Sequence, residues 1–186
     1  IMDSYDAEDS QQAHLLIVDD EPMIRDMLAQ AMGKMNYTCQ FAEDGEKALK
    51  ILENQRFDVV VTDINMPVMD GIELAKIIKL KFTADVIVMT GQIHNYQYDE
   101  IISIGASDFV EKPFSPREMV LRIKRVLRER HLKQIAKKAH EELKESYIDS
   151  IHRLVMAAEY KDEDTGDHII RIGKYCSFLA EKLNLT

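Results

Sequence analysis

No run of apolar residues in the 186-residue sequence is long enough to cross a bilayer, and no secretory leader is recognisable. Cysteine is scarce. Cys39 and Cys176 lie far apart and fit no metal-ligand spacing, which excludes a thiolate metal centre and a disulfide framework and makes a reduced, cytoplasmic protein the expectation. A basic patch is also missing. Lys and Arg total 24 against 33 Asp and Glu, for a net charge of −9. Residues 1–12 hold four acids and no base, and residues 130–186 hold ten of each sign. This balance speaks against a nucleic-acid-binding output module, and neither nucleic acid nor a membrane is expected as a partner. Glycine and proline are absent from residues 117–165, so nothing there interrupts a helix. The first residue is Ile1, and the last, Thr186, follows directly on an amphipathic run, so a piece of a longer protein is expected.

The chain is organised around Val59-Val60-Val61-Thr62-Asp63, an apolar, β-branched run that ends in one carboxylate. Pro67 and Asp70-Gly71 then mark a loop and turn. Leu15-Leu16-Ile17-Val18 repeats the plan and ends in Asp19-Asp20-Glu21. Further strands are predicted at Tyr37 to Phe41, at Val86 to Met89 ending in Thr90-Gly91, and at Ser107 to Glu111 ending in Lys112-Pro113. Helices alternate with them. One carries Ile24, Met27, Leu28, Ala31 and Met35, with Pro22 in its first turn, where a missing N–H costs nothing. Others carry Ala48, Leu49, Ile51 and Leu52; Leu74, Ile77 and Ile78; and Ile101, Ile102 and Ile104. The last opens on Ser115-Pro116-Arg117-Glu118, a serine cap with proline at the first helical position and glutamate at the capping-box position.

Five βα units in about 115 residues imply an α/β fold, a parallel sheet with helices on both faces. Ligands of such sheets sit at the carboxyl ends of the strands. Asp19, Asp20, Asp63, Thr90 and Lys112 all fall just past such ends. Singly, Asp19 and Asp20 also suit a helix N-terminus, Thr90 an N-cap, and Lys112 a solvated surface; their joint register with the strands favours one pocket. Clustered carboxylates repel one another, and a hard cation such as Mg2+ removes the repulsion through oxygen ligands. The backbone carbonyl of Asn65, two residues past Asp63, could supply a further ligand. An aspartate can act as a nucleophile and form an acyl phosphate, whose oxygens need positive partners and hydrogen-bond donors such as Lys112 and Thr90.

Asp19-Asp20, Asp63 followed by Met66-Pro67 and Asp70-Gly71, Thr90-Gly91 and Lys112-Pro113 resemble the receiver domain of two-component response regulators, over roughly residues 13–129. The resemblance implies a doubly wound, flavodoxin-like sheet of strand order 2-1-3-4-5, with a C-terminal all-α extension. It implies that Asp63 accepts phosphate from a sensor histidine kinase and that Asp19, Asp20, Asp63 and the Asn65 carbonyl hold Mg2+. Thr90 and Lys112 would grip the phosphoryl group. Phe109 falls where the family has its switching aromatic, often tyrosine; an ordinary core aromatic is the other reading.

Beyond residue 129, Leu132, Ile135, Ala139, Leu143, Tyr147, Ile151, Leu154 and Ala158 recur at a mean step near 3.7, one stripe on a nearly straight helix. A helix over 131–160 would be about 45 Å long. The expectation is a signal helix that forms a homodimer through residues 130–160; packing against the chain's own receiver is the alternative. The last stretch, with Asp162, Asp164, Thr165-Gly166, His168 and Arg171, resembles the opening of the HD-GYP domain, a metal-dependent cyclic di-GMP phosphodiesterase. That resemblance implies Asp164 and His168 as early ligands of a two- or three-metal transition-metal centre. The His-Asp dyad and Gly-Tyr-Pro motif of the family are absent, so neither firm metal binding nor cyclic di-GMP hydrolysis is expected of this chain. The expected organisation is an acidic, disordered lead-in at 1–12, a receiver at 13–129, a signal helix at 130–160 and a truncated HD-GYP start at 161–186. Two rivals remain. One is a receiver with a coiled coil acting purely as a binding module. The other is a hybrid-kinase fragment with His140, His152 or His168 as phosphoacceptor, although none of these is followed by the sequence such histidines usually carry.

Overall fold

A computed structural model of the chain describes residues 13–91, 105–159 and 166–182, with the side chains of 157–170 and 182 outside that description. The elements run β1 (His14–Val18), α1 (Pro22–Gly33), β2 (Thr38–Ala42), α2 (Gly45–Asn54), β3 (Val59–Asp63), α3 (Gly71–Lys81), β4 (Asp85–Thr90), β5 (Asp108–Glu111), α4 (Pro116–Glu159) and α5 (Gly166–Lys182). The five strands form one sheet of order β2-β1-β3-β4-β5, with every neighbouring pair parallel. This is the doubly wound architecture expected from the sequence.

Alternate residues of each strand point to opposite faces, and both faces are covered, so the strands read as unbroken apolar runs. Leu16, Val18, Val60, Val86 and Val88 pack with Ala48 and Leu52 of α2 and Leu74, Ala75 and Ile78 of α3. On the other face Leu15, Ile17, Val59, Val61, Ile87, Met89 and Val110 meet Leu28 and Met32 of α1 and Met119, Ile123 and Val126 of α4. Each fully buried side chain of this size contributes roughly 1.5–3 kcal/mol.

Local chemistry sets the helix starts. The Asp44 and Asp70 carboxylates accept hydrogen bonds from the Lys47 and Glu73 amides, at 2.8 and 2.7 Å. Ser115 caps α4 through the Glu118 amide at 3.1 Å, as the capping pattern predicts. Helix α1 has Glu21 at its N-cap with no side-chain hydrogen bond, followed by Pro22.

The chain divides into two compact units, residues 1–133 and 134–186. Helix α4 is nevertheless one continuous element of 44 residues, with no break near residue 130. Its first turns are clamped to the sheet. Arg122 and Arg125 both pair with the buried Asp108, at 3.2 and 3.0 Å, and Arg130 pairs with Asp85 at 3.0 Å. Further along, Leu132, Ile135, Leu143, Tyr147, Ile151 and Leu154 are each about half exposed or more. Helix α5 begins at Gly166, and His168 lies within it. The proposed lead-in at 1–12, the helix of Ile101, Ile102 and Ile104, and Asp164 and Thr165 lie outside the described residues.

Candidate functional site

The site forms where the central strands end. Asp63 is the last residue of β3, and Thr90 the last of β4; the parallel ladder runs one residue further than the hydrophobic runs suggest, pairing Asp63 with Met89 and Thr90 with Glu111. Asp19 follows β1 directly, and its amide donates to the Ala42 carbonyl of β2 at 3.2 Å. Lys112 follows β5, and its amide donates to the Thr90 carbonyl at 2.7 Å. The Lys112–Pro113 peptide bond is cis. Backbone pairing thus fixes each of these residues before its side chain makes any contact.

The side chains converge. Asp19, Asp20 and Asp63 offer carboxylate oxygens that all lie within 4.8 Å of one another. Asp19 and Asp63 are buried, and Asp20 is exposed. The Asp63 Oδ1 accepts from the Ile64 amide at 2.9 Å, which leaves Oδ2 facing Lys112 Nζ at 3.1 Å. Asp19 is oriented in the same way: Oδ1 accepts from the Glu21 amide at 2.8 Å, and Oδ2 takes Lys112 Nζ at 3.0 Å. Glu21 Oε1 stands 3.7 Å from the same ammonium. Thr90 is buried at the floor. Asn65 is exposed in the loop after β3, and Phe109 is half-buried against the α2–α3 layer.

Burial pushes the Asp63 carboxyl above the ordinary aspartate value. The hydrogen bond and charge of Lys112 and the Ile64 amide pull the other way, the Asp19 charge adds to the rise, and the net direction is up. Burial works against the charge on Lys112, but hydrogen bonds to Asp19 and Asp63 and the charges of both outweigh it, so its pKa is raised. Repulsion among carboxylates, the reason first anticipated, is thus a smaller cause at Asp63 than burial.

The donor set suits a small, hard cation: oxygen ligands only, two of them buried, in a cluster that already attracts the ammonium of Lys112. Among the described residues this is the one such cluster of acids. Asp164 and the side chain of His168 fall outside the described residues, so the second metal centre anticipated there has no geometry to report.

The loop that closes the site depends on a glycine. The Gly71 amide donates to the Ile64 carbonyl at 3.0 Å, and a Cβ on Gly71 would lie 1.9 Å from the Asp63 carbonyl oxygen. The sequence flagged Asp70-Gly71 as a turn but gave no sign of this close approach. Three residues were missed altogether: Asp58, Asp85 and Asp108, at or just before the starts of β3, β4 and β5, answered by Arg122, Arg125 and Arg130 of α4. An aspartate at the start of three successive strands was the signal that could have found them.

The family model described as the response regulator receiver domain matches residues 15–124, more than half of the chain. The transcriptional regulatory protein ResD of Bacillus subtilis is 34% identical over 121 residues, which cover 65% of this chain and 50% of that protein. The phosphate regulon transcriptional regulatory protein PhoB of Pseudomonas aeruginosa is 38% identical over 117 residues, covering 61% and 51%. The chain therefore spans about half the length of the curated relatives it matches. Among solved structures, the chemotaxis response regulator CheY4 of Vibrio cholerae superposes with a TM-score of 0.58 at 31% identity, over 62% of this chain and 98% of that one. A parallel sheet of this order, an acid cluster bridged by a lysine at its carboxyl edge and a family match across both place the chain in the response regulator receiver domain family.

Proposed function

We propose that this chain is a phosphorelay response regulator in which the Asp63 carboxylate accepts a phosphoryl group from a sensor histidine kinase. The observation that carries the reading is the convergence of Asp19, Asp20, Asp63 and Lys112 at the ends of three strands. Asp19, Asp20, Asp63 and the Asn65 carbonyl would hold Mg2+, which would offset the carboxylate charge and help to neutralise the phosphoryl oxygens. Lys112, already 3.1 Å from the Asp63 Oδ2, shifts to a phosphoryl oxygen, and the Thr90 hydroxyl donates to another. Ile64 keeps its amide on Oδ1, so Oδ2 is the oxygen that attacks phosphorus.

The signal leaves through α4. Drawing Thr90 and Lys112 toward the phosphoryl group shifts β4 and β5, against which α4 is clamped, and Phe109 on β5 repacks with them. The half-exposed stripe from Leu132 to Leu154 supports a homodimer through residues 130–160. In this reading residues 161–186 begin an HD-GYP module that needs further ligands beyond Asp164 and His168, so the 186-residue chain does not hydrolyse cyclic di-GMP. A receiver that only binds and dimerises would tolerate replacement of His168 without loss.

Sedimentation of the chain with Mg2+, before and after phosphorylation by phosphoramidate, tests the coupling. The expected result is a phosphorylation-dependent change in dimer fraction that Asp63→Asn abolishes. Phosphorylation without any change in association would remove α4 as the route of the signal.

A further inference from the structure

We infer that Glu21 is an electrostatic gate at the mouth of the phosphoryl site, a positioning residue that slows phosphorylation by small anionic donors. The inference rests on the reading of Asp63 as phosphoacceptor.

Three carboxylates share the Lys112 ammonium: Asp19 at 3.0 Å, Asp63 at 3.1 Å and Glu21 at 3.7 Å. The first two are buried, whereas the Glu21 side chain is 63% exposed. Glu21 therefore puts a full negative charge on the solvent side of the one lysine in the cluster. Its side chain makes no capping hydrogen bond to α1, although it occupies the N-cap position. Its backbone amide, by contrast, aims Asp19 by donating to Oδ1 at 2.8 Å. The structural work of residue 21 is thus done by its backbone, which leaves the carboxylate to act on what enters.

That carboxylate adds a third claim on the Lys112 ammonium from the solvent side, 3.7 Å away, and it repels an incoming dianion. With acetyl phosphate as donor, a bond forms between Asp63 Oδ2 and phosphorus, the bond from phosphorus to the acetyl oxygen breaks, and acetate leaves with the electron pair. A single charge about 8 Å from a dianion in water-like dielectric slows such an encounter roughly fivefold at low ionic strength, and salt screens the effect. Hydrolysis of the acyl phosphate brings in neutral water and escapes the repulsion. A protein donor that supplies its own positive charge at the rim would cancel it. Glu21 thereby biases the site toward a docked protein donor over free acyl phosphates.

The test compares the full chain with Glu21→Gln and Glu21→Asp, each at Mg2+ concentrations shown by titration to saturate it. Acetyl phosphate labelling and loss of label are followed by intact mass at about 20 mM and 500 mM salt. Expected are roughly fivefold faster labelling of Glu21→Gln at low salt, less than twofold at high salt, near-parental behaviour of Glu21→Asp and a dephosphorylation rate within twofold of the parent. Equal labelling rates at low salt, slower labelling of Glu21→Gln, or an acceleration indifferent to salt would each overturn the gate. If the parent itself takes up no label, the reading of Asp63 fails instead, and the two failures are told apart.

Discussion

Replacing Gly71 with alanine should cost this domain more than any other single added methyl group among the described glycines whose backbone lies outside the left-handed region. The new Cβ would sit 1.9 Å from the Asp63 carbonyl oxygen, 2.8 Å from the Asp63 carbonyl carbon and 3.0 Å from the Thr62 Oγ1. A carbon–oxygen contact settles at about 3.3 Å or beyond, so more than 1 Å must be found. The obstacle is backbone that cannot rotate away, because Asp63 is held in register with Met89 of β4. The first turn of α3 must move instead, stretching the 3.0 Å bond from the Gly71 amide to Ile64 and loosening the Asp70 cap on Glu73. Overpacking costs about 1–3 kcal/mol, and a lost cap about 1 kcal/mol, so we expect about 3–4 kcal/mol. Urea unfolding followed by circular dichroism reads this as a midpoint lower by about 1.5–2 M for a slope near 2 kcal/mol/M. Gly33→Ala is the control: no atom lies within 4 Å of its added Cβ at the end of α1, and a change of about 1 kcal/mol or less, toward greater stability, is expected. A Gly71→Ala protein within about 0.5 kcal/mol of the parent would refute the argument that this glycine is required by the approach of α3 to β3.

Three further outcomes are expected. Because the Asp63 carboxyl titrates higher folded than unfolded, the folded state holds that proton more tightly, and stability falls as pH rises above the ordinary aspartate range; Asp63→Asn should therefore be more stable than the parent without divalent ions, by a margin that grows as pH rises above that range in urea melts. Val68 is a β-branched residue at φ +69° and is largely exposed, so Val68→Asn should raise stability by about 1 kcal/mol in the same melts. Burial pushes the Cys39 thiol up to about 11, whereas Cys176 is exposed, so iodoacetamide at pH 8 should label the native chain at Cys176 and leave Cys39 unmodified until denaturant is added.

The sheet was legible because its chemistry is local. The runs ending at Val18, Asp63 and Thr90 carry both the strand signal and the polar group at the strand end, and Pro22 and Ser115-Pro116 mark helix starts. What escaped the sequence was set by contacts between distant segments. The ladder carries Asp63 and Thr90 into the strands themselves because their partners, Met89 and Glu111, lie on other strands. The arginine clamp from Arg122 to Arg130 escaped as well, since its partners Asp85 and Asp108 sit on β4 and β5 and meet the helix only once the sheet is formed. Glu21 read as one more acid in a row; its proximity to Lys112 exists only after β1 and β5 are brought to the same edge of the sheet.

The central claim is that Asp63 carries the phosphoryl group, and peptide mapping tests it most directly. The chain is incubated with Mg2+ and acetyl phosphate, reduced with borohydride to convert the acyl phosphate to a stable alcohol, digested and sequenced by mass spectrometry. The account predicts one modified position, Asp63, and none when Mg2+ is withheld or Asp63→Asn is used. Modification at Asp19 or Asp20 in its place, or no modification of a folded chain, would contradict it.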